Sequence, residues 1–242
     1  MDENLRTFLQ HHSNMKYSLF LKKLKQSIYT PIAQLNAFVH KSTEPLCFED
    51  MKNERFDNIK IGDSWGGFFD CAWFKFTADI ENMQKNLVAV IDVGGEGCIY
   101  NKDGEVIQGI TNVLGMVDNF QTVKGKAVIP LDRIDTFKDG KVLFYADCGN
   151  NGRGGKSSGQ ARFKRADICV FRQDILDLYY DILACYQLLS AVNDNAQKRE
   201  IKAHINKAIS LAHNTDSQSV LNARNACLLY TSPSPRDGAT SR

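Results

Sequence analysis

The period of the hydrophobic pattern changes twice along this chain, and no other feature constrains the fold as much. Residues 17–28 place Tyr17, Phe20, Leu21, Leu24 and Ile28 at helical spacing, with Lys22, Lys23 and Lys25 between them. Apolar residues three and four apart share one helix face, so this segment reads as an amphipathic helix, and Leu5, Phe8 and Leu9 extend it toward Asn4. The lysines read as its solvated side. From about residue 42 the texture becomes short runs of period two with frequent glycine. Phe74, Phe76, Ala78 and Ile80 alternate with Lys75, Thr77 and Asp79, the pattern of a half-buried strand. Leu87–Val93 is continuously apolar and of strand length, which predicts burial on both faces. Asn101-Lys102-Asp103-Gly104 between two apolar pairs is a hairpin signal, and further strands fit 127–131, 141–148 and 167–171. Past Arg172 the helical period returns through Ile175, Leu178, Tyr179, Ile182, Tyr186 and Leu189. A second helix carries Ile201, Ile205, Ala208, Ile209 and Ala212, and a third begins at the capping residues Asp216-Ser217.

Many short strands separated by turns pack as two antiparallel sheets. The expected chain is therefore mainly β: a helical segment at 1–41, a β-sandwich at 42–172 and a helical segment at 173–226. A chain of 242 residues, 43% of them apolar, can bury a core without a metal or disulfide staple. Thirty Lys and Arg against 28 Asp and Glu leave a net charge of +2, which gives no electrostatic reason to expect nucleic acid or an anionic membrane as partner. No apolar run approaches the eighteen residues of a membrane span. The residues Met1–Arg6 lack a secretory pattern, the seven Cys form no C-x-x-C pair, and no Asn opens an N-x-S/T sequon. Together these favour a reducing, cytoplasmic setting.

Residues 227–242 stand apart. Cys227 to Asp237 carries two of the five prolines and none of the preceding periodicity, and one reverse translation of it reproduces a transposase adapter used in sequencing libraries. The expectation is that 227–242 is translated library sequence, that native sequence stops near Ala226, and that the chain is a piece of a longer protein.

No catalytic motif stands out. The five His lack the paired spacing of a zinc hydrolase helix, and no G-x-S-x-G elbow occurs. The run Gly149–Ser157 misplaces the first glycine of a phosphate loop and reads as a loop. Two features remain as candidates. Gly94, Gly95, Glu96 and Gly97 follow the buried run, and three glycines around one carboxylate require a sharp turn or a close backbone approach. Glu96 there is able to bind sugar hydroxyls or a partner domain. Trp65 and Trp73 flank Gly66-Gly67-Phe68-Phe69; exposed, they would stack on sugar rings, and buried, they are ordinary core.

Those residues also carry a family resemblance. W-G-x6-W-F at Trp65-Gly66 and Trp73-Phe74, D-x-G-G-E-G at Asp92–Gly97 and D-G-x3-Q-G at Asp103, Gly104, Gln108 and Gly109 occur in order. Asn151-Gly152, Phe163 and Leu178-Tyr179-Tyr180-Asp181 follow them. Over roughly residues 5–190 the chain resembles the N-terminal region of glycoside hydrolase family 38 α-mannosidases, the cytosolic or vacuolar branch. The resemblance implies a galactose-binding-like jelly roll preceding a catalytic domain. That domain hydrolyses terminal α-mannosides with retention, using a carboxylate nucleophile and a divalent metal, usually zinc. The family's metal-binding motif resembles G-H-x-H-I-D-x-x-W. Here Ala203-His204-Ile205-Asn206 has Asn for the carboxylate and no Trp, so no catalytic or metal residue carries over and no cofactor is expected in this piece. The implied partners are the catalytic domain, through Gly94–Gly97 with Glu96 as polar anchor, and α-mannoside oligosaccharides through the parent enzyme. A vacuolar or lysosomal setting, homo-oligomerisation and a stand-alone carbohydrate-binding module stay open as alternatives.

Overall fold

The computed structural model describes residues 3–81, 84–111, 127–134, 137, 139–152, 159–212 and 214–231. They fall into two compact units, Thr30–Phe171 and a helical one formed from the residues up to Tyr29 and from Arg172 onward. The helical unit opens with α1 (Glu3–Ser27), where Tyr17, Phe20, Leu21 and Leu24 are buried and Lys22 and Lys23 exposed, as the spacing predicts.

Strands begin earlier than residue 42. β1 (Tyr29–Gln34) and β2 (Asn36–Ser42) lie inside the stretch expected to be helical. Pro31 holds an extended backbone and withholds a helix donor, and Leu35, Ala37 and Val39 then alternate inward, all buried. A short helix α2 (Phe48–Met51) and the strands β3 (Asp57–Asn58), β4 (Ser64–Gly66), β5 (Cys71–Asp79) and β6 (Leu87–Asp92) follow. Then come β7 (Glu96–Tyr100), β8 (Val106–Thr111), β9 (Val128–Pro130), β10 (Lys141–Gly149), β11 (Ala161–Arg162) and β12 (Arg165–Phe171). Two main sheets result, one ordered β1-β12-β6-β9 and the other β3-β2-β5-β10-β7-β8, with β11-β4 as a small third. Consecutive strands divide between the sheets, so most pairings are non-local.

The core lies between the two main sheets. Phe74, Phe76, Phe144, Ala146 and Ile99 come from one side, and Leu87, Ala89, Ile91, Ile129 and Ile168 from the other. Phe76 sits opposite Phe144 in register, their rings 5.0 Å apart and nearly parallel. The continuous run in β6 is buried on both faces, with Val88 and Val90 on the side away from this core. The predicted hairpin joins β7 to β8, with Gly104 at φ +90° and Asn101 Oδ1 accepting the backbone N–H groups of Asp103 and Glu105.

The helical unit continues with α3 (Gln173–Ala191), α4 (Asn195–Leu211) and α5 (Ser217–Thr231). Asp194 caps α4 by accepting from Ala196 and Gln197, and Asp216 caps α5 by accepting from Ser219. Arg224 on α5 donates to Asp177 at 2.8 Å and Asp181 at 2.9 Å on α3. Helix α5 runs through residue 227, where the expected break falls, and Cys227 is buried. Val220, Ala223 and Cys227 keep the helical spacing, so the local pattern sustains the helix for another turn. Residues 232–242 lie outside the described part. No described helix is long and apolar enough to cross a membrane.

Candidate functional site

The glycine-rich segment and both tryptophans are structural parts of the sandwich. Gly94, at φ +79°, makes the sharp turn after β6, and its N–H donates to Asp92 at 2.9 Å. Gly95 and Gly97 answer the other need, close approach. A Cβ on Gly95 would stand 2.7 Å from the Gly149 carbonyl and 3.0 Å from the Trp65 ring, and one on Gly97 would collide with the Asp147 carbonyl. Trp65 is 2% exposed, its Nε1 donating to the Val93 carbonyl at 2.6 Å and its ring edge-on to Phe74.

Trp73 points to the outer face of the six-stranded sheet and is still buried, because the segment leading into α2 covers it. Its Nε1 donates to the Leu46 carbonyl at 3.0 Å, and Phe48 packs on it edge-on at 5.8 Å. A Cβ on Gly104 would reach the Phe48 ring at 2.5 Å, so the third resemblance motif serves this same cluster. Neither tryptophan offers a face to a sugar, and of the two readings the sequence left open both rings take the core one. The apolar flanks drew both rings inward.

Glu96 is the first residue of β7 rather than the tip of a turn. It stands opposite Gly149 on one side and Thr111 on the other, half-buried, and Thr111 Oγ1 donates to its carboxylate at 3.1 Å. On the same outer face Asp147 lies opposite Cys98 and Trp73. Sequence reading missed it, although it is the one acid in an otherwise alternating strand. Burial pushes the Asp147 carboxyl above its ordinary range. Burial, then the negative charges of Asp147, Asp70 and Glu44, push the Cys71 thiol up as well. Both shifts favour the protonated form, which is the reverse of activating a nucleophile.

Beside this face, a polar groove of about 610 Å³ is lined by His40, Lys41, Glu54, Arg55 and Asp57 among others. Among the described residues no group of three His, Cys, Asp or Glu could hold a metal. His204 sits on α4 with Nδ1 donating to the Ala226 carbonyl at 2.9 Å, a helix-packing contact. The implied zinc therefore has no fitting ligand set in the described residues. Part of the Gly149–Ser157 run, residues 153–157, lies outside the described residues.

Residues 30–169, more than half of the chain, match the family model of the α-mannosidase jelly roll domain, of the Ams1-like type. The chain belongs to the α-mannosidase family. No curated protein matches it at the sequence level. In this α-mannosidase jelly roll the matched span begins at Thr30 and so includes β1 and β2, in agreement with where the sheets start. The motifs that carried the resemblance are thereby explained as packing: Trp65 against Gly95, Gly97 against β10, Gly104 against Phe48.

Proposed function

We propose that this chain is the non-catalytic entrance of a glycoside hydrolase family 38 α-mannosidase of the cytosolic or vacuolar branch. Its catalytic part, outside this sequence, would hydrolyse terminal α-mannosyl residues with retention and with zinc or another divalent metal. The match to the α-mannosidase jelly roll over residues 30–169 carries this reading. Retention needs one carboxylate to attack and one carboxylic acid to donate in the same cleft. Of the carboxyls on the outer sheet face, Glu96 accepts from Thr111 and Asp147 lies opposite Cys98 and Trp73 within the sheet. The segment Gly94–Gly97, with Glu96 as polar group, is the proposed contact to the catalytic domain. The proposed setting is the cytoplasm or vacuole.

Two measurements test this. The 242-residue chain is expected to leave p-nitrophenyl α-mannoside intact, with or without added zinc or cobalt. Metal-dependent turnover absent from a mock purification would refute the non-catalytic role. The gene beyond codon 226 is expected to encode an H-I-D-x-x-W-like segment, and a stop codon there would end the reading as part of an enzyme.

A further inference from the structure

Between the two buried tryptophans the chain makes a turn that is built against its own side chain. Asp70 N–H donates to the Gly67 carbonyl at 3.2 Å, so Phe68 and Phe69 are the central residues, and Phe69 takes φ +69°. That third turn position, with positive φ, is where glycine or asparagine belongs, and a bulky residue there is an outlier. The phenyl ring gains little burial in return: Phe69 is 63% exposed, one side of its ring lying on Phe68 at 3.9 Å between centroids.

The support beneath the turn is fixed. Asn150, 1% exposed, donates through its amide to the Gly67 carbonyl at 2.8 Å and the Gly159 carbonyl at 3.0 Å. The Asn150 backbone also accepts from Phe69 at 2.9 Å and donates to Asp70 at 3.0 Å. Polar side chains flank Gly67, the first residue of the turn. Asp70 Oδ2 accepts the Gly67 N–H at 2.7 Å, and Gln160 Oε1 accepts the Ser64 hydroxyl at 2.6 Å. Gln160 Nε2 and Asp70 Oδ2 both border Gly67, within 3.8 and 3.5 Å of where a Cβ would stand. A conformational outlier is retained when the position is over-determined by its surroundings, and such outliers cluster at ligand sites.

An exposed aromatic ring on a turn whose first residue, Gly67, is bordered by a carboxylate and a planar amide matches the chemistry of a pyranose. One face of the sugar is apolar C–H and its rim is hydroxyl. We propose that the Phe68–Phe69 turn is a carbohydrate platform, the Phe69 ring stacking on a terminal α-mannosyl residue while Asp70 and Gln160 bond its hydroxyls. The choice of mannose rests on the family reading; the platform rests on the turn.

Saturation-transfer NMR on the 242-residue chain tests it, with methyl α-mannoside as probe and methyl β-glucoside as comparison. The expected result is transfer to the mannoside C–H protons, retained in Phe69→Tyr and reduced at least tenfold in Phe69→Gly. The melting temperature of Phe69→Gly should equal or exceed that of the unmodified chain, because glycine relaxes the turn. Transfer of equal strength in Phe69→Gly, or none in the unmodified chain, overturns the platform. Equal transfer to the glucoside overturns its assignment to mannose. Each of these results is independent of what the gene encodes beyond codon 226, so the platform and the enzyme reading fail separately.

Discussion

Single atoms decide how much substitution the jelly roll tolerates. Gly97 and Gly109 lie on the paired strands β7 and β8, one register step apart, yet they differ sharply in surroundings. A Cβ on Gly97 collides with the Asp147 carbonyl of β10, whereas one on Gly109 meets nothing nearer than 3.8 Å. Gly97→Ala is therefore expected to cost about 2–4 kcal/mol by forcing β7 off β10, and Gly109→Ala to stay within about 0.5 kcal/mol. Urea unfolding of both variants checks the contrast, and equal midpoints would refute the close-approach role. Asp147 makes a second, pH-dependent case. Burial raises its folded pKa above the unfolded value. A raised acid contributes its full stability below about pH 4, and that contribution is lost as the pH rises through the folded pKa. Asp147→Asn, which mimics the neutral acid, should melt higher than the unmodified chain at pH 7, the two converging as the pH falls. A gap that widens on acidification would reverse the assignment.

Elements here are set by caps and patterns more than by propensity. Helix α4 has few buried residues, Ile201, Ile205 and Ala208, so its N-terminus depends on Asp194. Replacing Asp194 by Ala leaves two N–H groups without that acceptor and should cost about 1 kcal/mol. Amide exchange should quicken in the first turn of α4 and stay unchanged in α3; uniform protection across α4 would refute the cap. The strands were legible for a related reason. Phe74, Phe76 and Ala78 alternate with Lys75, Thr77 and Asp79, and that period survives whichever strand lies alongside. The start of the sheet at Tyr29 was misread because the helical stretch before it ends without a glycine, and Pro31 suits a helix stop as well as a strand.

Across the whole chain the cysteines report the packing. All seven are free thiols; Cys47 is exposed, Cys71 and Cys98 are half-buried, and Cys148, Cys169, Cys185 and Cys227 are buried. Reactivity needs both access and thiolate. A thiol reagent at pH 8 should modify Cys47 first and Cys71 slowly, since burial holds its thiol protonated. The four buried thiols should react only in denaturant, and early modification of Cys148 would refute the placement of β10 at the sheet centre. Sequence alone determined the order helix, sandwich, helices, the burial of β6 on both faces and the turn at Asn101–Gly104. Each is written in residues a few positions apart, where side-chain period and backbone freedom act directly. Tertiary structure alone decided that Trp73 is covered by Phe48, that Asp147 faces Cys98, and that Phe69 keeps a positive φ above a buried Asn150. Strand period says which residues share a face but not which strand lies beside it, and here β5 is 70 residues from its neighbour β10, counting from the start of one to the start of the other.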